Sequence, residues 1–274
     1  MSAARWLAAL LLATVASASL ADPHYEKAVM HSAALQRDMR LYVYLPPDYD
    51  PAKRYPVLYF LHGKGNNEYA LMNHLALGDI ADDLIAAGEI KPLIIVAPQL
   101  DNSFGLNLND NDHAPLADGQ GGGRYQDYLV QDVPAWVEQH WAARSDREGR
   151  MIGGISMGGY AALVAAFRYP ERYARVGGHS AAVNPGYTGG WLYPLPTSRA
   201  ERDPLLLAES PALGGLKIWL DCGRDDPLFA TNQALAGILR KQKRDVQWST
   251  GPGGHDSRYW TDARLIEYLK FYGR

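Results

Sequence analysis

Apolar and polar positions along this chain follow two rhythms, one of strands and one of helices, from about Gln36 to the end. Residues 39–45 show strand alternation and stop at Pro46-Pro47, which lack the N–H groups that a sheet ladder needs. Residues 48–51 read as a turn, and Val57–Leu61 is a continuous apolar run of the kind required by a strand buried on both faces. Residues 75–87 carry helical periodicity and close on Gly88, and 93–97 repeats the buried-strand pattern. Residues 125–141 are helical by pattern, with Pro134 tolerable only as a kink or near a helix start. Then come a strand at 151–155, a small-residue helix at Met157–Arg168 and the opening of a strand at 175–178. The remainder reads as strand 216–220, helix 231–241, strand 246–249 and a closing helix 261–271. This alternation predicts an α/β fold, a mainly parallel sheet flanked by helices on both faces, with no large separate lid domain.

Two segments break the rhythm. Residues 101–124 are dense in Asp, Asn and Gly and read as a long loop, and 184–213, rich in Pro, Gly and aromatics, reads as a surface excursion. No internal repeat or linker points to a second domain. Residues 1–21 have the layout of a secretory leader: Arg5 as positive flank, an apolar stretch at 6–15, then small residues. Cleavage is expected near Ala18 or Ala21, leaving a single domain of 22–274 in a secreted or periplasmic protein. The apolar stretch is too short to span a bilayer, and no cysteine follows it to carry a lipid.

Composition narrows the partners. A chain of 274 residues, 47% hydrophobic and 21% charged, can bury one sizeable core. Its formal charge of −3, without a dense Lys/Arg run, offers no face for nucleic acid. The single cysteine, Cys222, excludes an internal disulfide and reads as a small buried residue, so stability must come from packing.

The chemistry concentrates where strand 151–155 meets the following helix, at Gly154-Ile155-Ser156-Met157-Gly158. A G-x-S-x-G sequence between strand and helix forces a turn so sharp that only glycine fits two positions before and after the serine, whose Oγ then projects above the sheet. Gly153, Gly159 and the alanines after them fit a helix packed tightly on its strand. A serine hydroxyl attacks only when a base takes its proton and a third group holds that base. The order Ser, acid, His directs the search downstream. His255 lies in the glycine-rich loop Gly251-Pro252-Gly253-Gly254-His255-Asp256, between the last strand and the last helix, where the base belongs. His179 reads as a lining or packing residue, and His24, His31, His74, His113 and His140 have no comparable context. Among Asp221, Asp225 and Asp226, the last is preferred because it lies past the strand and turn, within reach of the histidine loop. Spacing alone leaves Asp225 open, and Asp221 reads as a strand-end residue.

A tetrahedral oxyanion needs preorganised N–H donors. The N–H of Met157, at the helix N-terminus, is one candidate. The N–H of Lys64 in Phe60-Leu61-His62-Gly63-Lys64-Gly65 is the other, the Lys64 side chain being read as solvated. Asn109, Asp110, Asp112 and His113 offer metal-type ligands but lack the glycine turn and terminal glutamate of a calcium loop, so this stretch reads as a polar loop.

With these residues in view, the chain resembles the esterase D-like esterase family of α/β-hydrolases. The resemblance is carried in order by Tyr42-Val43-Tyr44-Leu45-Pro46-Pro47-Asp48-Tyr49, Arg54-Tyr55-Pro56-Val57-Leu58-Tyr59-Phe60-Leu61-His62-Gly63, Gly154-Ile155-Ser156-Met157-Gly158-Gly159 and Gly254-His255-Asp256. It covers roughly Leu35 to the C-terminus. The family includes S-formylglutathione hydrolases, enterochelin-type esterases, feruloyl esterases and mycolyltransferases. The resemblance implies an α/β-hydrolase fold, a triad on Ser156, Asp226 and His255, oxyanion donors at Lys64 and Met157, and no cofactor. Its Gly-x-x-Asp pattern falls on Gly223-Arg224-Asp225-Asp226 and favours Asp226.

The expected activity is therefore that of a secreted serine carboxylesterase acting on a small-molecule or carbohydrate ester through an acyl-enzyme. Export disfavours a cytosolic glutathione thioester. An acyltransferase using the same intermediate and a non-catalytic hydrolase-like binding protein are the alternatives. Tyr187, Trp191 and Tyr193 either pack their loop onto the core or stack on a sugar or phenolic ring. Oligomeric state is left open by the sequence.

Overall fold

The computed structural model describes residues 24–108, 122–183, 196–260 and 262–274. The expected leader, Asn109 to His113, and Tyr187, Trp191 and Tyr193 lie outside the described residues.

Along the chain, β1 (His24–Ser32) and β2 (Arg37–Leu45) form an antiparallel pair, then β3 (Val57–Leu61), α1 (Glu68–Asn73), α2 (Leu77–Ala86) and β4 (Ile94–Pro98) follow. A two-stranded pairing of β5 (Asn107–Leu108) with β6 (Gly123–Arg124) precedes α3 (Tyr125–Asp127), and α4 (Val133–His140) leads to β7 (Arg150–Ile155). After α5 (Met157–Arg168) and β8 (Arg175–His179) come α6 (Pro196–Arg202) and α7 (Pro204–Leu207). The chain ends with β9 (Lys217–Gly223), α8 (Phe229–Lys241), β10 (Asp245–Gly251) and α9 (Asp262–Gly273). Eight of these strands form one sheet in the order β1-β2-β4-β3-β7-β8-β9-β10. Pairing is antiparallel from β1 to β4 and parallel from β4 to β10.

The order turns at β3, which pairs with β4 on one side and β7 on the other. Open α/β sheets place their ligand crevice at such a switch point, beyond the carboxyl ends of the strands. All five residues of β3 are buried, and its pleat sends Val57, Tyr59 and Leu61 into the core under α4, α5 and α8, and Leu58 and Phe60 into the core under α1, α2 and α9. The run of apolar residues is thus read by both faces, and no polar position interrupts it.

Helix α5 follows its strand so closely that eleven of its twelve residues, all but Arg168, are buried. Small side chains make this possible. A Cβ on Gly154 would lie 2.6 Å from the Leu61 carbonyl oxygen, and one on Gly158 would lie 2.7 Å from that of His62.

Several boundaries differ from the sequence expectation, each for a local reason. The expected 75–87 helix is α2, and an unexpected short helix, α1, precedes it: Asn67 Oδ1 caps α1 by accepting from the N–H groups of Tyr69 and Ala70, and Ala76, at φ +48°, turns the chain before α2. The 125–141 helix contains a π turn over Tyr128–Asp132, where the Val133 N–H reaches back to the Tyr128 carbonyl. Pro134, at the start of α4, has no N–H to continue the tighter ladder. Strand β1 was not expected, because it is an edge strand in which, over residues 25–32, only Met30 and Ser32 are buried. The expected surface excursion at 184–213 contains α6 and α7, which cover α5. Tyr160 Oη donates to the Arg202 carbonyl at 2.7 Å, and the buried Asp203 carboxylate caps α7 through the Leu205 N–H at 3.0 Å. Among the described residues no helix is long and apolar enough to cross a membrane.

Candidate active site

Ser156 sits between β7 and α5 at φ +58° and ψ −115°, a strained conformation for a residue with a Cβ. The surrounding backbone holds it there. Its N–H donates to the His179 carbonyl on β8 at 2.9 Å, and its carbonyl accepts from Tyr160 at 3.0 Å and Ala182 at 2.9 Å. With its main chain satisfied in this way, the residue presents its side chain to the crevice.

His255 arrives from the loop after β10. Beyond the paired ends of β9 and β10 the two loops remain laced together: Arg224 N–H donates to Gly251 and Asp225 N–H to Gly253, at 2.9 and 3.0 Å. Gly223 is required by this closeness, since a Cβ there would lie 2.8 Å from the Gly253 carbonyl carbon. The lacing brings His255 Nδ1 to 2.7 Å from Asp226 Oδ2, while Asp226 Oδ1 accepts the Leu228 N–H at 2.8 Å. On the other side of the ring, Nε2 is 2.8 Å from Ser156 Oγ. Because the carboxylate accepts, Nδ1 carries the ring proton, and Nε2 is left as acceptor for the serine hydroxyl. Burial alone would raise the Asp226 carboxyl, but the bonds from His255 and Leu228 outweigh it and hold the group below the ordinary carboxylate value.

The alternatives left by spacing part company here. Asp225 is exposed, and among the described residues its side chain hydrogen-bonds only to the Gly253 N–H, at 3.3 Å. Asp221, read as a strand-end residue, lies near the end of β9 and is fully buried: its Oδ1 lies 2.6 Å from His179 Nδ1, and its Oδ2 accepts from Tyr268 at 2.7 Å. His179 stacks on the Tyr268 ring at 3.5 Å, as a packing residue would. Cys222 is buried, and burial pushes its thiol well above the ordinary value.

Lys64 and Met157 line the same space as the serine. Among the described residues neither N–H has a hydrogen-bond acceptor. Gly63 approaches closely enough that a Cβ on it would stand 3.5 Å from Ser156 Cβ. The Lys64 side chain is exposed.

Two cavities meet at Ser156, Lys64 and His255. One, of about 390 Å³, is walled by Ala70, Leu71, Leu75, Ile155 and Trp260, with Asn66, His74 and Ser257 as polar groups. The other, of about 560 Å³, is walled by Phe104, Met157, Ala182, Pro227 and Leu228. The sequence reading missed Trp260, whose ring meets that of His255 edge-on at 5.0 Å, and also Phe104 and His74. None of the three belongs to a motif, and only tertiary folding brings them here. Among the described residues no group of three or more His, Cys, Asp or Glu is placed to hold a metal ion.

Residues 32–272 match the family described as "Putative esterase". The chain belongs to this esterase family. Among curated relatives, it is 32% identical over 137 residues to an endo-1,4-beta-xylanase/feruloyl esterase of Xylanibacter ruminicola, covering 48% of this chain and 18% of that protein. It is 31% identical over 145 residues to an esterase of Mycobacterium tuberculosis, covering 50% of this chain and 28% of that one. The chain therefore spans less than a third of the length of these relatives. Among solved structures, a ferulic acid esterase superposes with a TM-score of 0.78 at 25% identity, covering 92% of this chain and 98% of the other. An S-formylglutathione hydrolase from Staphylococcus aureus superposes with a TM-score of 0.74 at 23% identity, over 92% and 99% of the two chains, and shares the fold. Like these proteins, this member of the esterase family is an α/β-hydrolase.

Proposed function

We propose that this chain is a serine carboxylesterase working through an acyl-enzyme on Ser156. The observation that carries the reading is the continuous path from Ser156 Oγ through His255 to Asp226, at 2.8 and 2.7 Å, in a chain of the esterase family. Ser156 Oγ attacks the ester carbonyl carbon as His255 Nε2 takes the hydroxyl proton, and Asp226 stabilises the resulting imidazolium. The carbonyl oxygen, now negative, is received by the N–H groups of Lys64 and Met157. Collapse breaks the bond to the alkoxy oxygen, which leaves as alcohol with the proton from His255. Water then attacks the acyl-enzyme by the same route, restoring Ser156 and releasing the acid.

The ester lies across Ser156 with one arm in each cavity. Their mainly apolar walls suit a small-molecule or carbohydrate ester with a compact acyl part. The name of the Xylanibacter relative makes hydroxycinnamoyl esters one class to screen beside acetyl and longer acyl esters. Residues 22–274 act as a single catalytic domain, and residues 1–21 direct it to the periplasm or the medium, supported by the leader-like sequence.

Hydrolysis of short p-nitrophenyl esters by wild type and Ser156→Ala tests the reading. Turnover is expected in the first and none above background in the second. Equal turnover would overturn it. Export is checked by the N-terminal mass of the protein recovered outside the cytoplasm, expected to begin near Ser19 or Asp22. An intact N-terminus retained in the cytoplasm would contradict it.

A further inference from the structure

His62 follows β3 directly, is 1% exposed, and does not touch Ser156 through any hydrogen bond among the described residues. Its two ring nitrogens nonetheless have unlike partners. Nε2 lies 3.1 Å from the N–H of Leu100, which can only donate, so Nε2 accepts. The one proton of a neutral imidazole is then on Nδ1, where it faces the Gly63 carbonyl at 2.9 Å. The surroundings favour this neutral form, because burial pushes the ring below the ordinary histidine value. A second proton on Nε2 would point at the Leu100 N–H.

The Gly63 carbonyl also accepts the Asn66 N–H, at 3.1 Å, so two donors fix its direction. No peptide bond in the described residues is cis. In a trans peptide the N–H points opposite to the carbonyl across the C–N bond. Holding the Gly63 carbonyl toward His62 and Asn66 therefore aims the Lys64 N–H the other way. The next peptide is tied as well, with the Gly65 N–H donating to Asn102 Oδ1 at 2.7 Å. Leu100 and Asn102 belong to one turn beyond β4, so that turn braces the loop on both sides of the Lys64 N–H.

We propose that His62 is a positioning residue for the reaction at Ser156: by clamping the Gly63 carbonyl, its Nδ1–H aims the Lys64 N–H at the oxyanion. The proposal rests on the reading of Ser156 as nucleophile and of Lys64 N–H as an oxyanion donor. It assigns His62 a role in the transition state, in which only the charged oxygen gains from a well-aimed donor. Ground-state binding in the two cavities is left nearly untouched.

The test compares His62→Asn, whose amide N–H can stand where Nδ1–H stood, with His62→Gln, whose longer side chain can reach Leu100 but not Gly63. Rates of p-nitrophenyl ester hydrolysis are normalised to serines titrated with a fluorophosphonate, so partly folded protein is not scored as slow. His62→Gln is expected to lose about ten- to a hundredfold in kcat, less than outright removal of an oxyanion donor, with KM within about twofold. His62→Asn is expected to remain within about fivefold of wild type. Wild-type kcat in both variants, or equal losses in both, would overturn the proposal. A wild-type measurement stands beside these: long-range 1H–15N correlation of the His62 ring should show the Nδ1–H tautomer, and the Nε2–H tautomer would also overturn it. Ser156→Ala in the same assay separates the two claims. If that variant turns over, the nucleophile reading has failed; if it is inactive while His62→Gln is unimpaired, only the proposal has failed.

Discussion

A Cβ on Gly158 would lie 2.5 Å from the carbonyl carbon of Leu61, so the first turn of α5 touches the end of β3 backbone to backbone. This contact sets how far Ser156 stands above the sheet. Gly158→Ala must push the helix outward, and we expect a loss of about 3 kcal/mol in stability together with most activity. Gly237, exposed on α8 with nothing within 4 Å of its would-be Cβ, provides the contrast. Gly237→Ala should stabilise the protein by about 0.5–1 kcal/mol and leave activity intact. Urea unfolding of both variants checks the pair, and similar effects at the two sites would contradict the close-packing account.

Asp226 and Asp225 are adjacent in sequence but differ in partner, the first facing His255 Nδ1 and the second the Gly253 N–H. Asp226→Asn removes the acceptor that holds the His255 tautomer, and kcat should fall about a thousandfold or more. Asp225→Asn should stay within a few-fold of wild type. Steady-state kinetics on one ester decides between them, and a larger loss at Asp225 would refute the assignment.

The lowered value of the Asp226 carboxyl makes a pH prediction. Burial opposes its charge, and the bonds from His255 and the Leu228 N–H more than offset that opposition. A carboxyl whose native value is depressed contributes stability that is complete above its unfolded value, about 3.9, and is lost as pH falls through the lower native one. The stability difference between wild type and Asp226→Asn should therefore shrink as the pH falls below about 4. Urea unfolding in steps downward from about pH 5 measures it, and a difference that does not change with pH would contradict the assignment.

Beneath the site, Asp221 accepts from Tyr268 and pairs with His179, whose Nε2 is 3.1 Å from Tyr272 Oη. All four side chains are buried, and they fasten α9, which follows the His255 loop, to β8 and β9. Asp221→Ala leaves buried donors without an acceptor, and about 2–5 kcal/mol of stability should be lost. Thermal unfolding checks this, and a wild-type melting temperature would show that the network contributes little.

What the sequence disclosed follows from how local the signal was. Strand β3 and helix α5 were read with their observed limits, because a continuous apolar run and a run of small residues after a G-x-S-x-G turn need no knowledge of neighbours. Ser156, His255 and Asp226 were proposed from motif, order and position, and the structure brings the three side chains within 2.8 and 2.7 Å of one another in turn. Edge strand β1 lacked an apolar run, and the six-residue α1 was too short to show a period. The partners of His62 and the placement of Trp260 depend on segments 38 positions away or on loop packing, which no local pattern encodes. Asp221 was read as a strand-end residue, but its buried partners on β8 and α9 were out of reach for the same reason.

The most direct test of the central claim is to locate the label after stoichiometric reaction with a fluorophosphonate, by peptide mass, while following esterase activity. The account predicts one phosphonyl group on Ser156 and loss of activity in proportion to labelling. Full turnover in fully labelled protein, or a label on another residue that accounts for the inactivation, would contradict it.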